Sequence, residues 1–283
     1  MAHRPHGGAT AQHPGAHDAF WHNHLPTEFG AIFNPRLTYV YDQLLRTQCL
    51  GNFRTLIHDI SIDGAMLVYL NGYLNTAAAP DENYARELME LFTLGEGSGY
   101  TEEDVQAAAR VLTGWTVRET DALGDIVLPY VAYRPSQHVT DDKQFSAFFN
   151  NTVIQGQTGQ AGGETELNAL LDMILAKEEV SKFICREVYR FFVHGEIDAS
   201  AETNVIEPLA EIFRDNAAAP DQMRIVMQAL LTSDHFFSAN VQGLHDHEPR
   251  GLGGGHGAQA RGAHAHAPAA RGAAPGVARC RIT

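Results

Sequence analysis

Apolar residues recur at the three-to-four-residue spacing of a helix through most of the chain. Asn34 before Pro35 reads as a cap with proline at the first helical position. The run that follows, PRLTYVYDQLLRTQC, carries Leu37, Val40, Tyr41, Leu44 and Leu45 on one stripe. FRTLIHDI and DGAMLVYLNG continue the period, with Gly72 as the expected stop. Pro80 and Asp81 open a helix through ENYARELMELFTLG that Gly95 closes. Thr101 with Asp104 predicts a capping box for EEDVQAAARVLTGW, which ends at Gly114. Helices resume at ELNALLDMILAK, at EEVSKFICREVYRFFV, near EPLAEIFRDN, and after Pro220 in DQMRIVMQALLTS.

One region breaks the rhythm. From 116 to 165 short alternating apolar pieces are punctuated by prolines, and GQTGQAGGE reads as a flexible glycine-rich loop. The two ends lack an apolar period altogether. Residues 1–19 hold four histidines and no acid before Asp18, and 244–283 are mostly Gly, Ala, His, Arg and Pro, so neither end buries enough surface to offset its ordering entropy. The expected architecture is a mainly α, multi-helix globular domain over 20–243, with one irregular or short β-hairpin excursion around 116–165. A disordered tail is expected on each side.

At 283 residues and 44% hydrophobic content, the chain is long enough to bury a sizeable core. Its net charge of −14 is unevenly spread. Residues 20–243 carry 31 acidic against 14 basic side chains, a net −17, which repels phosphate backbones and argues against nucleic acid as a partner. No apolar run reaches the roughly 18 residues that read as a membrane span, and no apolar signal core follows Met1. Cys49, Cys185 and Cys280 have no metal-type spacing; Cys185, inside KFICREVYRFF, reads as a buried inert thiol.

Candidate chemistry begins in ENYARELMELF. At 100° per residue, Tyr84, Ala85, Leu88, Met89, Leu91 and Phe92 share one face, and Glu82, Asn83, Arg86, Glu87 and Glu90 the other. In the plain reading this polar stripe is solvated, with Glu82–Arg86 and Arg86–Glu90 as mutually supporting pairs. In the sharper one Glu87 and Glu90 bind a divalent metal or act as an acid–base pair, and Arg86 meets an anion. Further metal ligands would come from FWHNHLP, where His22 and His24 lie two apart. That spacing chelates only on an extended chain, because on a helix the two rings are about 200° apart. His138, followed by Asp141, Asp142 and Lys143, is a further catalytic candidate because it falls in the irregular excursion. No GxSxG, HExxH, CxxC or phosphate-loop pattern occurs.

The run ENYARELMELFTLGEGSGYTEEDVQAAARVLTGW resembles the bacterial family known as domain of unknown function 1800. FWHNHL, AMLVYLNG, KFICREVYRFFV and LLTSDHFF resemble it in the same order, so the resemblance covers about 20–243. It implies a mostly helical fold, export of full-length members, and a sulfatase-like partner protein. It supplies no catalytic residues, although Trp21, His22, Asn23, His24, Asn83, Arg86, Glu87 and Glu90 fall in its signature stretches. Members of the family are longer on the N-terminal side, so the chain is expected to lack the front of the domain. After LLTSDHFFSANVQG such proteins continue with CMIKSPVD or similar, whereas this chain has LHDHEPRGL. Permitted codons for LHDHEPRGL, read one base later, give CMITSPVD, so residues 244–283 are expected to be out-of-frame translation. Two functions are expected from different classes. One is an extracytoplasmic hydrolytic enzyme with a Glu/His/Arg site, around a divalent metal in its sharpest form. The other is a non-catalytic scaffold that docks a partner.

Overall fold

A computed structural model describes residues 16–237. Both ends, 1–15 and 238–283, lie outside the described residues, and with them SANVQG and the segment 244–283 expected to be out-of-frame translation. The first helix, α1, runs His17–His24, so the last three residues assigned to the N-terminal tail belong to it instead. Its anchor is Phe20 and Trp21: the Trp21 indole donates to the Cys49 carbonyl at 2.9 Å and stacks 5.9 Å from Phe53.

A short turn, α2 (Phe29–Ile32), leads into α3 (Pro35–Gln48), whose first two free amides, on Arg36 and Leu37, donate to the Asn34 side chain as the capping pattern predicts. Next come α4 (Phe53–Ser61) and α5 (Gly64–Tyr69), the latter capped by Asp63. The chain leaves α5 earlier than expected. Asn71, not Gly72, takes the left-handed conformation at φ 61°, which asparagine tolerates because its short amide can bond locally.

The helix expected from Pro80 begins at Asn83 and is α-helical only to Glu87 (α6). Leu88–Thr93 then widens into a π turn, with the Leu94 amide reaching back to the Met89 carbonyl at 2.8 Å. Gly95 ends it at φ 88°, where a Cβ would also stand 2.9 Å from the Phe183 ring. The capping box forms as expected at the head of α7 (Glu102–Val111): Thr101 accepts from the Asp104 amide, and Asp104 accepts from the Thr101 amide.

The irregular excursion holds two small antiparallel pairs. β1 (Trp115–Thr120) and β2 (Ile126–Tyr133) form a hairpin in register from Trp115 opposite Tyr133, with an irregularity between Arg118 and Thr120. β3 (Lys143–Gln144) pairs with β4 (Val153–Ile154). The last glycines of the expected flexible loop are ordered as the first turn of α8 (Gly162–Leu175). A Cβ at Gly163 would lie 2.3 Å from the Tyr133 ring, so the hairpin packs on bare helix backbone. The rest is helical: α9 (Glu178–Phe192), the turn α10 (Ala199–Ala201) with a second π turn at Glu202–Ile206, α11 (Glu207–Asp215) and α12 (Gln222–Leu231). The apolar stripes of these helices meet in one core that includes Trp21, Phe53, Ala108, Leu170, Ile184 and Val226. Cys185 is buried in it, and burial pushes its thiol well up, which suits an inert role. Among the described residues no helix is long and apolar enough to cross a membrane.

Candidate functional site

The signature helix buries the expected face, with Tyr84, Ala85, Leu88, Met89 and Phe92 in the core. On the other face Arg86 is fully engaged. Its guanidinium grips both oxygens of Glu102, one at 2.9 Å, and reaches Glu82 at 3.1 Å. The Glu102 bond, despite partial burial, raises its pKa further above its ordinary value. Arg86 is thus committed to two carboxylates of its own chain. Glu87 and Glu90 accept no hydrogen bond from the described residues. Burial raises the Glu87 carboxyl, and the charge of Glu90 adds to the shift against the pull of Arg86. Two phenols share this surroundings: burial and then Glu90 push Tyr100 up to about 12, while burial, Glu28 and Glu87 raise Tyr69. The π turn begins between the two carboxylates. It advances each residue by less than the 100° of the expected wheel, so Glu90 lags behind the position that would stack it beside Glu87.

The histidines go elsewhere. Because α1 is helical through His24, the two rings diverge as the helical geometry requires. His22 is exposed and lies 3.1 Å from Asp42. His24 is buried, stacks on Phe20 with centroids 5.8 Å apart, and donates from Nε2 to the Phe92 carbonyl at 3.1 Å. Burial lowers its pKa, only partly offset by that carbonyl. Among the described residues no group of three or more His, Cys, Asp or Glu side chains is placed to hold a metal. FWHNHL and ENYARELMELF do meet, through one bond between a ring and a π-turn backbone.

The excursion yields a cluster that the sequence only half revealed. His138 is buried, and its Nε2 donates to Glu166 at 2.9 Å; a carboxylate only accepts, so that nitrogen carries the proton. The other nitrogen, Nδ1, lies 2.9 Å from the Thr113 carbonyl and 3.1 Å from its hydroxyl. Glu166 also accepts from the Lys143 ammonium at 2.5 Å and from the Gln157 amide at 2.7 Å, with both Glu166 and Lys143 0% exposed. Burial lowers the Lys143 pKa, and Glu166 opposes that shift. Next to it the buried Tyr133 hydroxyl has no hydrogen-bond partner among the described residues, and burial followed by the charge of Glu166 pushes it up to about 12. The missed member, Glu166, did leave a trace: it occupies a position of the apolar stripe shared by Gly163, Leu167, Leu170 and Ile174.

A cleft of about 330 Å³ opens between α3, the α4–α5 junction and β2. Leu37, Val40, Ile62, Pro129 and Val131 supply apolar wall, while Arg36, Asp59 and Asp63 supply charge. Asp63 is only 8% exposed. Its Oδ1 caps α5 by accepting from the Ala65 amide at 2.8 Å and the Met66 amide at 3.2 Å. Burial nevertheless pushes the carboxyl up to about 6 against those bonds. None of these residues was singled out from sequence as a site. The available signal was Asp63 as the cap before GAMLVY, which says nothing of a neighbouring hairpin.

These features define a mainly α domain with a ligand-sized cleft at a helix–hairpin junction and a separate buried ion cluster. The chain belongs to the family described as a protein of unknown function, DUF1800, which it matches over residues 17–249. No curated protein and no solved structure matches it.

Proposed function

We propose that the protein is a binding protein whose cleft receives a short apolar peptide chain. The observation that carries this reading is the combination, in one 330 Å³ cleft, of apolar walls with a buried carboxylate and an arginine. That is the composition of a recognition pocket: apolar surface supplies affinity, and a few polar groups fix orientation. Val40 and Tyr130 line the cleft and are also exposed. Leu128 and Ile126 share the side of β2 that carries Tyr130, so the apolar surface continues beyond the cleft mouth. Phe29 and Phe33 are also exposed, at 51% and 81%, and offer apolar surface to the sulfatase-like partner implied by the family resemblance. The test is titration of the full chain with acetyl-leucyl-leucine amide, a neutral apolar probe. Val40→Asp, at a 43% exposed position, introduces a charge at the mouth without entering the core. Saturable binding lost in Val40→Asp supports the reading; binding unchanged by the variant, or no binding of this probe or of the same dipeptide with free termini, refutes it.

A second reading rests on Glu87. Its raised carboxyl beside Glu90 and the Tyr69 and Tyr100 phenols suits an acid–base pair doing hydrolytic chemistry on an extracytoplasmic substrate. With Arg86 committed to Glu82 and Glu102, anion recognition in that role would fall to another group. A bell-shaped pH–rate profile that loses one limb in Glu87→Gln would support it. Rates on hydrolysable ester and glycoside panels that Glu87→Gln leaves unchanged would refute it.

A further inference from the structure

The charges in the cleft are not spent on one another. Asp59 is satisfied internally: its Oδ1 accepts from His58 at 2.9 Å and its Oδ2 from Gln48 at 2.5 Å. Asp63 is different. Oδ1 takes both helix amides, whereas Oδ2 receives no hydrogen bond from the described residues. That oxygen is not sealed off but keeps accessible surface in the cleft that Asp63 lines, so its acceptor capacity is open to a ligand donor. Arg36 is the counterpart. It sits in the first turn of α3, held there by the Asn34 cap, and its guanidinium makes no ion pair or hydrogen bond with any described residue. It approaches neither Asp59 nor Asp63 closely enough for an ion pair. One cation and one anion thus line the same apolar space, each with unused bonding capacity, and with a gap between them.

We propose that this cleft reads both ends of its ligand: a short apolar peptide with free termini, its ammonium on Asp63 and its carboxylate on Arg36. The proposal rests on the peptide-binding reading above and narrows it. A guanidinium offers a fork of donors that matches a carboxylate, and an ammonium supplies the donors that Asp63 lacks. Size agrees: a sphere of the cleft's volume is about 9 Å across, and two extended residues span roughly 7 Å. The apolar walls then hold the side chains between the charged ends. An uncharged ligand would leave both groups as they are. A ligand with one charge would satisfy only one of them.

The test uses the full chain and four probes in calorimetric titration. They are leucyl-leucine, leucyl-leucine amide without the carboxylate, acetyl-leucyl-leucine without the ammonium, and acetyl-leucyl-leucine amide with neither. Leucyl-leucine is expected to bind tightest, and each blocked terminus to weaken binding about tenfold. Asp63→Asn keeps the cap, since asparagine caps helices as well as aspartate does, and removes the charge. In that variant leucyl-leucine and acetyl-leucyl-leucine should bind alike. In Arg36→Gln, leucyl-leucine and its amide should bind alike. Thermal melting of both variants checks that the fold is intact. Equal affinity for all four probes, still lost in Val40→Asp, overturns terminus recognition and leaves the apolar cleft standing. Absence of binding by every probe overturns both.

Discussion

Glu166→Gln puts the buried ion cluster to a quantitative test. The substitution keeps an oxygen that can accept from His138 and the Gln157 amide, but turns an amide toward Lys143 where a carboxylate oxygen stood 2.5 Å away. Lys143 is 0% exposed and retains only the Val139 carbonyl, at 2.5 Å. Removing one partner of a buried pair typically costs about 3–5 kcal/mol, because the remaining charge is stranded. The double variant Glu166→Gln/Lys143→Met removes the stranded charge, and should recover at least half of that loss. A pH signature separates this cause from simple misfit. A stranded Lys143 has a folded-state pKa below its unfolded one, so the folded state binds fewer protons in that window and stability rises with pH, by at most about 1.4 kcal/mol per unit. The deficit of Glu166→Gln measured by urea unfolding should therefore shrink between pH 7 and 9.5, and should stay constant in the double variant. A single-variant cost below about 1 kcal/mol, or a double-variant cost equal to the sum of the two singles, refutes the reasoning.

Further expectations concern sites that the sequence left open. Gly163→Ala places a Cβ 2.3 Å from the buried Tyr133 ring and should cost about 1–3 kcal/mol in chemical denaturation; a neutral or stabilising result would show that the hairpin yields. His24→Phe keeps the stacking on Phe20 but leaves the Phe92 carbonyl unpaired, an expected loss of about 1–3 kcal/mol, whereas exposed His22→Ala should cost under about 1 kcal/mol. If the two histidines instead shared a structural metal, both variants and a chelator would lower the melting temperature alike. Asp63 gives a pH prediction: its folded carboxyl titrates near 6 against 3.8 unfolded, so the fold holds an extra proton between those values. Stability should fall by about 2 kcal/mol as pH rises from 4 to 6.5, and Asp63→Asn should flatten that slope.

What was legible in the sequence was local. Asn34 before Pro35, Thr101 with Asp104 and the glycine stop at Gly95 each act within one turn, and each acts as expected. The amphipathic face of ENYARELMELF was correct because burial follows the apolar residues even where the turn widens. The π turn was not legible, since it is fixed by tertiary partners such as His24 bonding the Phe92 carbonyl from a helix far earlier in the chain. Long-range pairing also explains the sites. His138 could be proposed from its loop, but its carboxylate lay 28 residues away among leucines. Arg36, Asp63 and Val131 become neighbours only when the hairpin folds onto α3 and α5, which no pattern within any of those segments announces.

The seam between Gly51 and α12 has a consequence for how the chain is made. The Met223 and Arg224 amides donate to the carbonyls of Gly51 and Leu50, Asn52 reaches the carbonyls of Ala217 and Ala219, and the Phe53 amide donates to Gln222. The head of α4 is therefore finished by residues synthesised about 170 positions later, and α1 waits for Phe191 and Phe192 of α9 before its aromatic side is covered. At roughly 5–20 residues per second, the first helices leave the ribosome many seconds before their partners exist. Their apolar stripes spend that interval uncovered, where a holding chaperone has its opportunity. The seam can close only after the segment past Pro220 clears the exit tunnel and reaches the head of α4.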